Sequence, residues 1–156
     1  MQVRFLPGSQ NIHYYLFIKN MTSYALLFTL SAIGISETVY LIRKRIASEK
    51  PICPIGENCI LVLNSKYNKT FFVSNDVLGL LFYVMASFIA AFLVIGIEPL
   101  ILWNLIFKLS VALGTFLSLF FTYLQWRVIR AWCFWCLMSA FTILLMGIII
   151  LISSIT

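Results

Sequence analysis

The chain has 156 residues, of which 62% are hydrophobic and only 10% are charged. A soluble domain carries about a quarter charged residues, and one of this length could not bury so large an apolar fraction. This composition excludes a soluble globular domain and a disordered chain. It predicts an integral membrane protein whose net charge of +6 lies in loops near anionic lipid.

Four apolar stretches reach the length of about 20 residues that a membrane-spanning helix needs. They must be helical, because backbone groups in hydrocarbon have no water to bond. Ahead of them, a short interfacial helix is expected around Tyr14 to Ile18. The sequence therefore predicts an all-α four-helix bundle that forms a single membrane domain over residues 1–156. In chain order the spans cover about residues 21–42, 77–97, 99–126 and 131–152.

The connections between the predicted spans differ greatly in length. The first, a long loop over residues 43–76, carries Cys53 and Cys59, and loops of this length usually carry function. The third is short, and Cys133 and Cys136 follow it at the start of the fourth span. With four spans, the first and third connections lie on the same side of the membrane. All four cysteines are therefore predicted to converge on one membrane face.

Cys133 and Cys136 form a C-x-x-C motif at the predicted start of a helix. The unpaired N–H groups and the positive end of the helix dipole favour a thiolate there. Arg127 and Arg130 add positive charge just upstream. Because the thiolate is the nucleophile of disulfide exchange, this position suits a reactive dithiol.

Three interpretations of the four cysteines compete. They could form two structural disulfides, although a helical membrane bundle has little need of such staples. They could hold zinc, although five residues separate Cys53 from Cys59, more than the usual spacing of zinc ligands. In the third interpretation, which we favour, one pair exchanges disulfides with a soluble partner and the other passes electrons to a lipid-soluble acceptor. The first two would make the chain a non-enzymatic membrane protein.

Several segments of the chain together match one known family of membrane proteins. They are Cys53-Pro54 with Cys59, then residues 62–67, 74–83, 123–125 and 133–136. Through them, over about residues 34–140, the chain resembles the vitamin K epoxide reductase family of membrane thiol oxidoreductases. The short spacing in the loop is similar to that of the prokaryotic branch. The resemblance implies a four-helix bundle around a quinone, such as ubiquinone or menaquinone, with the loop folded as a cap.

The resemblance also implies a function. The enzyme would be a quinone-linked thiol oxidoreductase that reoxidises a thioredoxin-like protein and so drives protein disulfide formation. Many prokaryotic relatives carry a thioredoxin-like domain after the fourth span, whereas this sequence stops at Thr156. The expected partner is therefore a separate thioredoxin-like protein.

By position, the resemblance implies a role for each cysteine. Cys136 faces the quinone and pairs with Cys133 in the oxidised enzyme. Cys59 attacks that pair through Cys133, and Cys53 exchanges with the partner protein.

The same resemblance implies a quinone pocket at the start of the second span. The side chain of Asn75 would donate a hydrogen bond to a quinone oxygen. Leu78, Phe82 and Tyr83 would line the ring pocket, since they share one helical face. The alternative for Asn75 is a cap of the second span, a common role of Asn before a helix.

Glu37 is an acidic residue inside the first predicted span. An acid within the membrane is a candidate functional group, here a carrier of protons to the quinone. The alternative is that its side chain reaches towards the interface near Arg43. Pairing with Lys108 in the third span is a further possibility.

The distribution of Lys and Arg bears on membrane orientation. The positive-inside rule places the richer face in the cytoplasm, whereas disulfide chemistry and the resemblance favour the oxidising side. We expect a multi-pass protein of the cell (inner) membrane with its active site on the extracytoplasmic face, the cytoplasmic orientation being the alternative. The cysteine face holds Arg43, Lys44, Arg45, Lys50, Lys66, Lys69, Arg127 and Arg130, and the opposite face holds Arg4 and Lys19.

Overall fold

The first helix, α1, runs without a break from Pro7 to Ile46, a length of 40 residues. The computed structural model describes residues 7–54, 59–70 and 73–155. Residues 14–18, where the sequence suggested a short interfacial helix, are helical and continuous with the rest of α1. The part of α1 that can cross a membrane is Met21–Ile46. Its last turn contains Arg43, Lys44 and Arg45, whose charges suit the negative end of the helix dipole.

Three further long helices complete the bundle, and a short helix, α2 (Cys59–Leu63), lies in the loop before them. Helix α3 spans Asn75–Ile95 and ends on Gly96, which takes the left-handed conformation (φ 80°) typical of a helix C-terminus. Helix α4 spans Leu100–Leu124 and continues into one π-helical turn, Gln125–Ile129. Helix α5 spans Phe134–Ile155. These helices are long and apolar enough to cross a membrane, in the predicted order and with ends shifted by a few residues.

The loop between α1 and α3 is folded. It contains a short helix, α2 (Cys59–Leu63), a 3₁₀ turn (Lys66–Asn68) and a small hairpin of β1 (Lys69–Thr70) and β2 (Val73–Ser74). The two strands are antiparallel, with Lys69 opposite Ser74. The hairpin leads directly into α3, so the loop stays close to the bundle. The prediction of a four-helix membrane bundle with a cysteine-containing loop over one face is confirmed.

The core of the bundle lies where α1 and α3 pack together. At Gly34 a Cβ atom would lie 2.3 Å from the ring of Tyr83, so only glycine lets this ring pack against α1. The apolar residues on the outer faces of α4 and α5 remain exposed and suit contact with lipid. The buried core comprises Leu27, Tyr83, Ala86, Ile89, Ala90, Leu93, Phe107, Val111, Ile143 and Met146.

Candidate redox site

The structure brings the two loop cysteines together with the two cysteines at the start of α5. Cys53 and Cys59 form a disulfide with their Cα atoms 6.6 Å apart. Cys133 and Cys136 are free thiols, and their sulfur atoms lie 2.8 Å apart. Cys59 and Cys133 are buried in one cluster with Val62, and Cys53 and Cys136 pack against it. One disulfide and one dithiol therefore meet in a single contact region.

Cys133 lies just before α5, not within its first turns as the sequence analysis predicted. Helix α5 starts at Phe134, and Arg130 takes a left-handed conformation (φ 53°) at the end of the π-helical turn that precedes it. The Cys133 N–H donates to Oε1 of the buried Gln125 over 3.0 Å, and its carbonyl accepts from the Leu137 N–H over 3.0 Å. The position of Cys133 is thus fixed both by the π-helical turn that follows α4 and by α5.

The hydrogen bond between the two thiols makes Cys133 the more acidic of the pair. Cys136 donates to the sulfur of Cys133, and this bond holds the pKa of Cys133 below its usual range, although burial opposes the shift. A lowered thiol pKa favours the thiolate, which is the nucleophile in disulfide exchange. Cys133 is thus the better nucleophile of the pair, and it packs in the same cluster as Cys59.

A polar clamp holds the loop next to Cys53. The N–H of Ile52 donates to the Tyr40 hydroxyl over 3.0 Å, and the Ile52 carbonyl accepts from Nε1 of Trp135 over 2.8 Å. The rings of Tyr40 and Trp135 lie 4.4 Å apart. We call these three residues the Ile52 clamp. It joins the loop to α1 and to the first turn of α5, the turn that carries Cys136.

The head of α3 is tied to the end of α1 by an ion pair. Nε of Arg45 lies 3.2 Å from Oδ2 of Asp76, and the guanidinium also donates to the Ser74 hydroxyl. The other carboxylate oxygen of Asp76 accepts from the Val77 N–H over 3.0 Å. The Asp76 side chain is only 2% exposed. Asp76 is an acid in the first turn of an apolar span, a feature that could have indicated this ion pair from the sequence. The ion pair was not predicted.

A cavity of about 350 Å³ opens between the helices below the loop, within the size range of small-molecule sites. Its walls come from the four long helices and the loop, and most of its lining is apolar. Among the described residues that line it, Cys136 is the one cysteine. Three of the four residues expected at the quinone, Asn75, Leu78 and Phe82, also line the cavity.

Tyr83 lies elsewhere than expected. It is absent from the described cavity lining and is fully buried, with its ring against Gly34. Its hydroxyl bonds the Ser139 carbonyl over 2.8 Å and lies 2.9 Å from the Ser139 hydroxyl. Although Tyr83 comes directly after Phe82, it points to the helix interface, so it supports the wall on which Ser139 lies.

Asn75 is the first residue of α3, and Ser74 occupies the cap position. The Asn75 amide donates to the Tyr67 carbonyl over 2.9 Å, so it ties the loop to the head of α3 while lining the cavity. Gln125 shows the same double arrangement, since it lines the cavity and positions Cys133. This double role of Gln125 was not predicted from the sequence.

Glu37 also lines the cavity. It is only 7% exposed, which argues against a side chain that reaches the interface. In the described parts of the chain the ion pairs are Lys44–Glu49 and Arg45–Asp76, so Glu37 pairs with neither Lys108 nor Arg43.

The cysteine geometry favours exchange chemistry over metal binding in this redox state. A four-thiolate zinc site needs four free cysteines, and two of them form the Cys53–Cys59 disulfide. Within residues 7–54, 59–70 and 73–155, no group of three or more His, Cys, Asp or Glu is placed to hold a metal ion.

Comparison with known proteins supports the same interpretation. The sequence model described as the Vitamin K epoxide reductase family matches residues 25–151, which is nearly the whole chain. Comparison with curated protein sequences found no significant match.

Proposed function

Because the chain belongs to the vitamin K epoxide reductase family, whose members are membrane disulfide oxidoreductases, we propose that it is a quinone-linked thiol oxidase. It accepts electrons from a separate thioredoxin-like protein and so drives protein disulfide formation. The electrons pass from Cys53 and Cys59 to Cys133 and Cys136, and then to a quinone such as ubiquinone or menaquinone. The observation that carries this proposal is the position of Cys136, which lines the apolar cavity and also contacts the Cys133 sulfur.

The relay starts when a partner thiolate attacks Cys53 and opens the Cys53–Cys59 disulfide. The released Cys59 thiolate attacks Cys133 in the Cys133–Cys136 disulfide, and Cys136 leaves as a thiolate. The second thiol of the partner attacks the partner–Cys53 disulfide, so the partner leaves oxidised and Cys53 becomes a thiolate. Cys53 then attacks Cys59 in the Cys59–Cys133 disulfide, Cys133 leaves as a thiolate, and the loop disulfide forms again. These steps leave a disulfide between the loop cysteines and two free thiols in the inner pair, the same state of the four cysteines as in the structure.

The inner dithiol then returns to a disulfide. Cys133 and Cys136 together lose two electrons and two protons as their S–S bond forms. A quinone supplies the matching chemistry, because it accepts two electrons and two protons. The cavity suits such a ligand, since its lining is mostly apolar and it has a few polar groups, among them Asn75. In this proposal Asn75 donates to a quinone oxygen, and Leu78 and Phe82 contact the ring.

Turnover by the purified protein tests this function. Wild-type protein is expected to oxidise dithiothreitol only when a quinone is supplied, and Cys136→Ala is expected to abolish that activity. Cys53→Ala and Cys59→Ala are expected to block oxidation of a thioredoxin-like protein while sparing dithiothreitol, because a small thiol can reach the inner disulfide directly. Full quinone-dependent activity of Cys136→Ala would refute the relay. Absence of turnover in the wild type, with bound zinc found by metal analysis, would favour the non-enzymatic alternative.

We further propose that the cysteine face is extracytoplasmic in the cell (inner) membrane, because disulfides such as Cys53–Cys59 form and persist most readily in an oxidising compartment. Two cations that oppose this orientation by count, Lys44 and Arg45, have structural partners in Glu49 and Asp76. Labelling of intact cells with a membrane-impermeant maleimide after mild reduction tests the orientation. Modification of Cys53 is expected, and labelling only after cell lysis would place the site in the cytoplasm.

A further inference from the structure

An unpartnered carboxyl oxygen lies in the wall of the cavity. Glu37 is 7% exposed, and its Oε2 has no hydrogen-bond partner among the described residues. A buried polar atom without a partner costs about 1–3 kcal/mol, so such an atom calls for an explanation. A ligand in the cavity that Glu37 lines would supply the missing partner.

The surroundings of Glu37 leave its charge uncompensated. On α3, Asp76 is paired with Arg45, and the Tyr83 hydroxyl bonds Ser139. On α5, the Thr142 side chain is hydrogen-bonded to the carboxyl group but carries no charge to pair with it, and the Cys136 thiol bonds Cys133. An unpaired carboxylate in such a place is costly. Burial without a paired cation therefore favours the neutral carboxylic acid, which carries a proton that it can donate.

We propose that Glu37 is the acid that delivers a proton to the quinone bound beside Cys136. The proposal rests on the function proposed above and names the route of one of its two protons. The Glu37 O–H bond breaks as the proton passes to a quinone oxygen. The resulting carboxylate regains a proton from those that Cys133 and Cys136 release when their disulfide forms. Glu37 ends unchanged, and the electron pair comes from the dithiol.

The first test compares Glu37→Gln with the wild type in quinone reduction driven by dithiothreitol. The amide keeps the shape of the side chain but carries no transferable proton. Because general acid catalysis contributes about 10²–10⁴-fold, kcat is expected to fall about 100-fold with the KM for quinone unchanged. Glu37→Asp is expected to recover part of the rate. Glu98→Gln is the matched control, since Glu98 is exposed in the connection between α3 and α4, and its rate is expected to equal that of the wild type.

The outcomes separate this proposal from the proposed function. If the wild type reduces no quinone, the proposed function fails first. If the wild type is active and Glu37→Gln retains its kcat within twofold, only the role of Glu37 is refuted. A raised KM with an unchanged kcat would refute proton transfer and make Glu37 a binding residue.

A second test needs no variant. Dicyclohexylcarbodiimide is apolar and reacts with protonated carboxyl groups, so it is expected to modify Glu37 in the wild type and to spare the exposed Glu98. A short-chain ubiquinone is expected to protect Glu37 from modification, as measured by peptide mass spectrometry. Modified protein is expected to lose quinone reduction while dithiothreitol still reduces its Cys133–Cys136 disulfide. An unmodified Glu37, or full quinone reduction after modification, would overturn the proposal.

Discussion

Trp135→Phe tests whether the Ile52 clamp controls access to Cys133. Cys133 has no exposed surface, and it is buried against Cys59 and Val62 of the loop. A reagent can reach its sulfur only when the loop moves away. The substitution removes the Nε1 donor that bonds the Ile52 carbonyl over 2.8 Å and keeps an aromatic ring beside Tyr40. It therefore weakens loop docking with little change to the bundle.

The size of the effect follows from a single hydrogen bond. A neutral hydrogen bond contributes about 0.5–1.5 kcal/mol net. Ile52 is exposed, so water can satisfy its carbonyl after the substitution, and a loss of about 0.7–1 kcal/mol is expected. Since 1.4 kcal/mol corresponds to a factor of ten, the open fraction of the loop should rise about three- to fivefold. Tyr40→Phe removes the partner of the Ile52 N–H and should have an effect of similar size.

The rate of Cys133 alkylation measures this open fraction, provided that the loop closes faster than the reagent reacts. Protein with the loop disulfide intact is treated with N-ethylmaleimide, and the Cys133 peptide is followed by mass spectrometry. Trp126→Phe is the matched control, because Trp126 is exposed and stacks on Arg127, away from the clamp. Equal alkylation rates in Trp135→Phe and the wild type would refute the gating role of the clamp.

Three further predictions concern the site and its support. Asn75→Ala is expected to raise the KM for quinone in steady-state assays, and a normal KM with a lowered melting temperature would make Asn75 a scaffold residue that holds the loop. Cys136→Ala removes the hydrogen bond that lowers the pKa of Cys133, so the alkylation profile of Cys133 against pH should shift to higher pH; an unchanged profile would contradict this cause. Arg45→Ala leaves the buried Asp76 carboxylate without its cation and should lower the free energy of unfolding by about 2 kcal/mol in denaturation. Adding Asp76→Asn should recover most of that loss, and no recovery would show that the ion pair is not its cause.

The number, order and approximate length of the spans could be predicted because lipid requires long uninterrupted apolar helices. The helix ends were less predictable. Arg130 takes a left-handed conformation after a π-helical turn, and no hydrophobic period signals such a turn. Cys133 precedes α5, whereas the sequence predicted it inside the helix. The continuity of α1 through residues 14–18 was likewise missed, because the polar residues Lys19 and Asn20 separate them from the apolar span.

The convergence of the cysteines could be predicted from the number of spans, which places the first and third connections on one side of the membrane. The contacts that hold the cysteine-containing loop in place could not be predicted in this way. The Ile52 clamp uses a backbone amide and carbonyl, groups that every residue has and that no sequence pattern marks. Tyr83 shows the opposite difficulty. Its neighbourhood with Phe82 suggested a shared cavity face, yet consecutive residues on a helix point about 100° apart, and the space left by Gly34 decides where its ring packs.

Burial of the inner cysteines explains why the proposed relay uses two cysteine pairs. Cys133 is fully buried and Cys136 lines the cavity, so a folded partner protein cannot reach either sulfur directly. Cys59 is equally buried, whereas Cys53 is half-buried beside the exposed Ile52. In the proposed relay, electrons from a large donor therefore enter at Cys53 and pass inward through Cys59. The same packing keeps other folded thiol proteins away from the inner pair, because the loop that delivers electrons also covers it, whereas a small thiol such as dithiothreitol can enter when the loop opens.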